Sequence, residues 1–443
     1  MVRPFAVLAA SAALVALSPG RVHAAEGESG GSFVPSLTLP TSGGGARQGE
    51  GGSQRGEEQS QGVSAARLGV TKDLPEWLGE ATGWWSMPPP AEAAKQTRHV
   101  TWAPFITSSP QIGVGFGVAA AGTQQLGDPA TTRLSKFSTN FMVTTESQYS
   151  IPLRTNINLP GGDWNLVGLF RWSKWPSPSW GIGGNTPDDA KTTIDYQLLR
   201  FYEVVNRRFG DGFFLGAGYR LDYYSKVGDR SAGTGQVTDF QQYPFGTGSS
   251  SLNSSLVANV LWDSRDSPVF ATRGLYANLS YAFTPKFLGS DTSWQTFYAD
   301  VRTYLHLARP LVVALWSYGW VNFGDVPYLE LPSIGSDPDA RSGRGYTEGR
   351  HIGKALLYGE AELRYTIWEW VGVAAGVNVH SVSDRDPVTG ALPDGPNFKY
   401  WWPSVVVGAR LLAEKATTSN LCVDFAFGRL GQKGVYINFA EAF

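Results

Sequence analysis

Few residues of this 443-residue sequence have the types and spacing that catalysis or metal binding requires. The five histidines show no metal-ligand spacing; they are His23, His99, His306, His351 and His380. No Gly-x-Ser-x-Gly elbow, phosphate-binding loop or dinucleotide fingerprint occurs, although a hydrolase that assembles serine and histidine from separate strands stays open as an alternative. The single cysteine, Cys422, is interpreted as a small inward packing residue. The sequence therefore predicts a protein that is not an enzyme and has no metal or cofactor.

Composition indicates a membrane protein built of strands. Charged residues make up 17% of the chain, below the roughly 25% of soluble domains, while aromatic residues reach 13%. A spanning strand shows lipid only every second residue, so a barrel needs apolar and aromatic residues without long apolar runs. The net charge of -2 gives no indication of a nucleic-acid partner.

Hydrophobicity alternates with a period of two from about residue 97 onward, most clearly in residues 355–367. Leu357, Gly359, Ala361, Leu363, Tyr365 and Ile367 fall on one face, and Tyr358, Glu360, Glu362 and Arg364 on the other. A soluble sandwich would also alternate, so the position of tryptophan decides between the two. Segment ends carry Trp172, Trp175, Trp180, Trp262, Trp316, Trp320, Trp368, Trp370, Trp401 and Trp402, as aromatic girdles at two membrane interfaces would.

These segments predict an all-β fold, a transmembrane antiparallel β-barrel of about sixteen strands over residues 97–443. The first strand is placed near 99–107 and the last near 434–443. An even strand number brings both ends of the barrel to the periplasm. The long connection at 323–354, after the eleventh strand, is then the sixth extracellular loop.

The segment before the barrel reads as export and linker sequence. Residues 1–25 are predicted to be a signal peptide, with Arg3 before a short apolar stretch and a small-residue cleavage pattern. Residues 26–96 are predicted to be a disordered, low-complexity periplasmic segment with a short Trp-rich element. That element is interpreted as a lumen plug, a membrane-interface anchor or a spacer on the barrel rim. The predicted location is the bacterial outer membrane.

Four motifs, in order along the barrel, resemble those of the bacterial surface antigen family, which includes BamA and TamA. They are Gly181-Ile182-Gly183-Gly184-Asn185, Asp263-Ser264-Arg265-Asp266-Ser267-Pro268, Gly343-Arg344-Gly345-Tyr346, and Val435-Tyr436-Ile437-Asn438-Phe439 with the terminal Phe443. The family's transporters carry POTRA domains before the barrel. The low-complexity tract before this barrel cannot be one, so the chain is similar to a stand-alone member.

The resemblance implies a loop lock, in which Arg344, Gly345 and Tyr346 of the sixth outer loop fasten that loop inside the barrel. The family's aspartate partner is replaced by Ala374, so Glu360 and Glu362, inward-facing on the neighbouring strand, are the candidate partners. The alternative is that Arg344 is an ordinary surface residue, exposed on a solvated loop. Phe439 and Phe443 are interpreted as the assembly signal, both with lipid-facing parity.

The implied function is outer-membrane protein assembly or translocation. The alternative is a passive pore or structural surface antigen that keeps the fold without the activity. The expected partners are outer-membrane lipid and nascent outer-membrane proteins or periplasmic factors. Asp263, Arg265 and Asp266 are interpreted as an ion cluster that fixes a turn, with a ligand site as the alternative.

Overall fold

The computed structural model describes residues 98–443, apart from 110–112, 129–130, 134, 267–269, 309, 339–340, 369, 387–389, 415–418 and 440. The predicted signal peptide and periplasmic segment lie outside these residues, so both stay predictions. Within the described part, no helix is long and apolar enough to cross a membrane.

Nearly all of the described chain is strand. The strands are β1 Arg98–Ser109, β2 Gly113–Gln124, β3 Ser135–Thr144, β4 Tyr149–Asn158, β5 Trp164–Lys174, β6 Ser177–Ser179, β7 Thr192–Gly210, β8 Phe213–Asp229, β9 Ser250–Asp263, β10 Gly274–Thr284, β11 Trp294–Ala308, β12 Leu311–Gly324, β13 Ala355–Trp368, β14 Val371–Val382, β15 Trp402–Glu414, β16 Ser419–Gly428 and β17 Lys433–Phe439. The helices are one turn each: α1 Asp239–Gln242 and 3-10 turns at Asp188–Ala190, Lys286–Leu288 and Tyr328–Glu330.

The strands form one antiparallel meander, in which each long strand pairs with its neighbours along the chain. The three-residue β6 pairs with β7 beyond the end of β5, so sixteen strands are long. This confirms the predicted fold class and strand number. Among the described residues, no pairing register joins β1 to β17.

The two faces of the strands separate as the alternation predicts. On β13, Leu363 and Tyr365 are 52% and 47% exposed on the outer face, whereas Glu362 and Arg364 are buried inside. A place at the end of a segment only partly predicts whether a tryptophan lies exposed on the outer face. Trp172, Trp262, Trp368 and Trp401 are exposed, but Trp180, Trp316 and Trp402 are buried in the interior. Trp316 and Trp402 have inward parity on their strands, and parity overrides position along the strand.

Candidate functional site

The connection between β12 and β13, residues 325–354, turns into the lumen; we call it the sixth loop. Its arginine, Arg344, is only 2% exposed. The glycines on either side, Gly343 and Gly345, have φ of 70° and 102°, which only glycine adopts readily. A Cβ at Gly345 would lie 2.9 Å from the Cβ of Ser404 on β15. These glycines let the loop tip lie directly on the barrel wall.

Arg344 contacts three carboxylates on two strands. Its Nη2 donates to Glu360 and to Glu362 Oε2, the latter at 2.6 Å, and its Nη1 donates to Asp424 Oδ2 at 2.6 Å. All three carboxylate side chains are at most 1% exposed. Buried charges are tolerated where each is paired and hydrogen-bonded, which this arrangement provides.

Neighbouring backbone groups hold the loop tip as well. The carbonyl oxygen of Arg344 accepts from Ser404 Oγ at 2.6 Å and from Asn378 Nδ2 at 3.1 Å. The backbone N–H of Gly345 donates to the hydroxyl of Tyr436 at 2.9 Å. Because Tyr436 lies on β17, the loop tip is joined to the last strand.

Two further arginines extend the ion pairs toward the end of the chain. Arg364 Nε donates to Glu362 Oε1 at 2.8 Å, and Arg410 donates to Asp424. Arg410 Nε also donates to Glu441 Oε2 at 2.8 Å. We call the seven side chains the lumen ion network: Arg344, Arg364, Arg410, Glu360, Glu362, Asp424 and Glu441.

The chain terminus lies inside the barrel. The prediction that Phe443 faces lipid is wrong, because β17 ends at Phe439 and residues 441–443 lie outside any strand, so its parity no longer applies. Phe443 is 6% exposed, with its ring centroid 5.3 Å from that of Trp316 and 5.1 Å from the guanidinium of Arg364. Arg364 Nη2 also donates to the Phe443 carbonyl oxygen at 2.9 Å. The side chain of Phe439 falls outside the described part, and the assembly signal stays a prediction.

Aromatic and histidine rings pack above the lumen ion network. The Tyr346 hydroxyl donates to the Pro403 carbonyl at 2.6 Å, and its ring meets His380 edge-on. His351 of the sixth loop lies 2.7 Å from His380, from Nδ1 to Nε2, and stacks on Trp402. Burial, with added repulsion from His380 and Arg350, lowers the pKa of His351 to about 2. This ring is therefore neutral at physiological pH.

The glycine-rich loop after β6 packs against the sixth loop. Gly183 forms a backbone bridge with Ile352, and Trp402 Nε1 donates to the Gly184 carbonyl at 2.6 Å. Arg350 donates to the Thr186 hydroxyl at 2.9 Å and lies over the ring of Trp180. The first sequence motif is thus in contact with the loop that carries the Arg344 motif.

The structure brings Arg344 together with both candidate partners, Glu360 and Glu362. Sequence analysis missed Asp424 as the third partner, although its inward parity beside Cys422 was a usable signal. Cys422 is buried and inward-facing, as predicted. Nothing in the sequence indicated that His351 and His380 would be in contact. Among the described residues, no group of three or more histidine, cysteine, aspartate or glutamate side chains is arranged to hold a metal ion.

The acidic motif between β9 and β10 fixes a turn. Arg265 donates to both oxygens of Asp263 at 2.9 and 3.0 Å. Asp266 accepts from the backbone N–H of Thr272 at 2.9 Å and from its hydroxyl at 2.6 Å. Every one of these bonds is internal to the turn, which agrees with the turn-fixing interpretation.

Comparison with protein families gives a match over residues 190–390, the stretch that contains the sixth loop and both of its glutamate partners. The matching model is that of the Omp85 superfamily domain. The match confirms the resemblance to the BamA/TamA family and the outer-membrane location of the barrel. Comparison with curated protein sequences gave no match.

Solved structures similar to this barrel include BamA from Haemophilus ducreyi lacking POTRA domains 1–3. The two are 14% identical, with a TM-score of 0.50 over 77% of this chain and 69% of that one. CdiB from Acinetobacter baumannii is 10% identical, with a TM-score of 0.48 over 78% of this chain and 60% of that one. CdiB from Escherichia coli is 10% identical, with a TM-score of 0.49 over 80% and 63%. At these identities the BamA match supports the fold alone.

Proposed function

We propose that this Omp85 barrel has a non-enzymatic role in the assembly or translocation of outer-membrane proteins, with nascent outer-membrane proteins as its substrates. The observation that carries the proposal is the burial of Arg344 among three carboxylates. The family match supports a role of this kind, and the lumen ion network supplies a means to hold the sixth loop in one position.

The position of the network supports a link between the sixth loop and the barrel seam, which is the junction of the first strand, β1, and the last strand, β17. The sixth loop reaches β16 through Asp424 and β17 through the Tyr436 hydroxyl. β17 has only seven residues, against twelve in β1. A short last strand forms fewer ladder hydrogen bonds, so the seam is the weak junction of the wall. In the proposed role, the network keeps the loop and the last strand in register while substrate strands engage the seam.

Depletion of the protein, followed by a quantitative inventory of outer-membrane proteins, tests the proposal. We expect the amounts of other barrel proteins to fall and to recover with the wild-type chain. Complementation with Arg344→Ala should recover them less than the matched control Arg230→Ala, since the Arg230 side chain is 53% exposed. An unchanged inventory after depletion would favour the alternative, a passive pore or structural surface antigen.

A further inference from the structure

A carboxyl side chain lies on the lipid-facing side of the wall. Glu203 of β7 shares its face with Leu199 and Val205, which are 38% and 37% exposed to the outside. The neighbouring positions of opposite parity face the lumen, where Asn206 bonds to Asn165. Because parity alternates strictly along a strand, Glu203 faces the membrane.

The depth of Glu203 follows from two tryptophans on the adjacent strand. Trp164 and Trp172 are 41% and 49% exposed on the outer face of β5, as girdle residues are. Gly168 lies midway between them and pairs in register with Glu203. At about 3.3 Å per residue, the tryptophans are about 26 Å apart along the strand, or about 20 Å in height for a tilt of about 40°. Glu203 therefore lies near the centre of the hydrocarbon layer.

The carboxyl occupies space left by the missing side chain of Gly168. A Cβ at that glycine would lie 2.6 Å from Glu203 Oε2 and 2.6 Å from the hydroxyl oxygen of Thr155 on β4. Glu203 is 8% exposed, and its Oε1 is buried with no hydrogen-bond partner. We call Thr155, Gly168 and Glu203 the acid notch.

Within the part of the chain that the structure describes, no protein layer lies outside the acid notch, so only neighbouring outward side chains shield it. Tyr219, the register partner on β8, uses its hydroxyl in a 2.8 Å hydrogen bond with Ser254. The outward cation Arg207, on the same strand, lies over the rings of Trp164 and Phe209 at 5.5 and 5.6 Å. Hydrocarbon penalises a charged carboxylate that has no paired cation, so the neutral acid is the favoured form at this depth.

We propose that the acid notch is a binding and modification site that opens to the hydrocarbon layer. Its ligands would be lipid-soluble molecules whose polar head hydrogen-bonds or reacts with a neutral carboxyl. Carbodiimides are the simplest reactive class. The acid proton moves to one carbodiimide nitrogen while the carboxyl oxygen bonds to the central carbon, and the O-acylisourea formed rearranges to a stable N-acylurea. The step requires no oxidant, reductant or third reactant.

The full-length protein, folded in lipid vesicles, can be treated in parallel with two reagents and read by peptide mass spectrometry. Dicyclohexylcarbodiimide is apolar and partitions into hydrocarbon, whereas a cationic water-soluble carbodiimide stays in water. We expect the apolar reagent to modify Glu203 at least ten times faster than the water-soluble one does. Asp188, whose side chain is 73% exposed, should show the reverse preference. Absence of an adduct at Glu203, or equal modification by both reagents, would overturn the proposal.

Two variants separate the notch from a merely exposed glutamate. Gly168→Ala places a methyl group where the carboxyl now lies, so the carboxyl must move toward lipid and modification should accelerate several-fold. Gly359→Ala is the matched control, because Gly359 also faces outward on a strand but its Cβ would meet open space. Glu203→Gln should abolish the adduct and leave the barrel folded. A Gly168→Ala protein that folds and is modified no faster than Gly359→Ala would show that no notch limits the reaction.

Discussion

The two halves of the barrel fill the lumen differently. In the half formed by β12–β17, the sixth loop enters and its Arg344 pairs with Asp424, 80 positions further along the chain. The half formed by β4–β9 also receives part of the sixth loop, through Tyr328, and holds the ion pair of Arg200 and Asp222. In one part of this half, however, the wall fills the lumen with its own chain of asparagines. Asn165 Nδ2 donates to Asn158 Oδ1 at 3.0 Å, Asn206 Nδ2 to Asn165 Oδ1 at 3.3 Å, and Asn259 Nδ2 to Asn206 Oδ1 at 3.1 Å.

The difference shows two ways of satisfying inward polar groups. The asparagine chain requires only the correct register of β4, β5, β7 and β9, with room for Asn206 supplied by Gly216 of β8. The lumen ion network requires a loop to enter the lumen and bury charges. A lost partner therefore leaves an uncompensated buried charge in the lumen ion network of the loop half, and only an unpaired amide in the asparagine chain of the wall half.

The largest expected effect is in the loop half. Arg344→Ala removes the shared partner of three buried carboxylates and should lower the free energy of unfolding by about 3–5 kcal/mol. The measurement is urea unfolding of the barrel, with loss of the heat-modifiable compact form as a second readout. The control Arg230→Ala, in an exposed pair, should change stability by less than about 0.5 kcal/mol. Combining Arg344→Ala with Glu360→Gln or Glu362→Gln should give less than the summed loss. Strictly additive losses with both glutamates, or an Arg344→Ala protein as stable as the wild type, would contradict the loop lock.

Acid should weaken the loop half next. The folded-state pKa of His351 is about 2, below the unfolded value of about 6.5, so the unfolded chain binds the proton first. The stability from this ring is complete above about pH 6.5 and is lost as pH falls. Between pH 6.5 and 5 the loss should be about 2 kcal/mol. His351→Gln should flatten this part of the pH profile; an identical slope in wild type and variant would contradict a neutral buried His351.

The wall half should respond less. Asn206→Ala leaves the oxygen of Asn165 and the amide of Asn259 without this partner, which should cost about 1.5 kcal/mol in the free energy of unfolding. The matched control is Asn185→Ala, because Asn185 is exposed in the loop after β6, outside the asparagine chain, and its loss should cost less than about 0.5 kcal/mol. A loss from Asn206→Ala as large as that from Arg344→Ala would break the contrast between the halves.

The smallest expected effect concerns the terminus. Phe443→Leu keeps an apolar side chain in the lumen but loses the ring contacts with Trp316 and Arg364, which should cost about 1 kcal/mol. Phe287→Leu, in a loop and 78% exposed, is the control and should be neutral. Deletion of Phe443 should also lower the folded yield in the outer membrane, if the residue is read as an assembly signal. A neutral Phe443→Leu with a lower yield on deletion would separate the two roles.

The sequence by itself determined the strands and their faces. Alternation placed Glu360, Glu362 and Arg364 inside and Leu363, Tyr365 and Ile367 outside, and the structure agrees. This succeeds because the side-chain period of a strand is fixed by the backbone, so one residue of known orientation orients the rest. The partners Glu360 and Glu362 of Arg344 could be predicted from the sequence for the same reason.

Only the tertiary structure decided which distant groups meet. Closing the sheet brings β16 beside the sixth loop, which supplies Asp424 as the third partner and joins His351 to His380. The terminus departs from parity because the Phe443 ring packs on Trp316 and Arg364 inside the barrel. The Glu441 carboxylate pairs with Arg410 there, and residues outside the strand no longer follow its period. The acid notch needed the register of β4, β5 and β7, since Thr155, Gly168 and Glu203 become neighbours only when three strands align. Period is a local property of the backbone, whereas register and loop entry depend on contacts between distant segments of the chain.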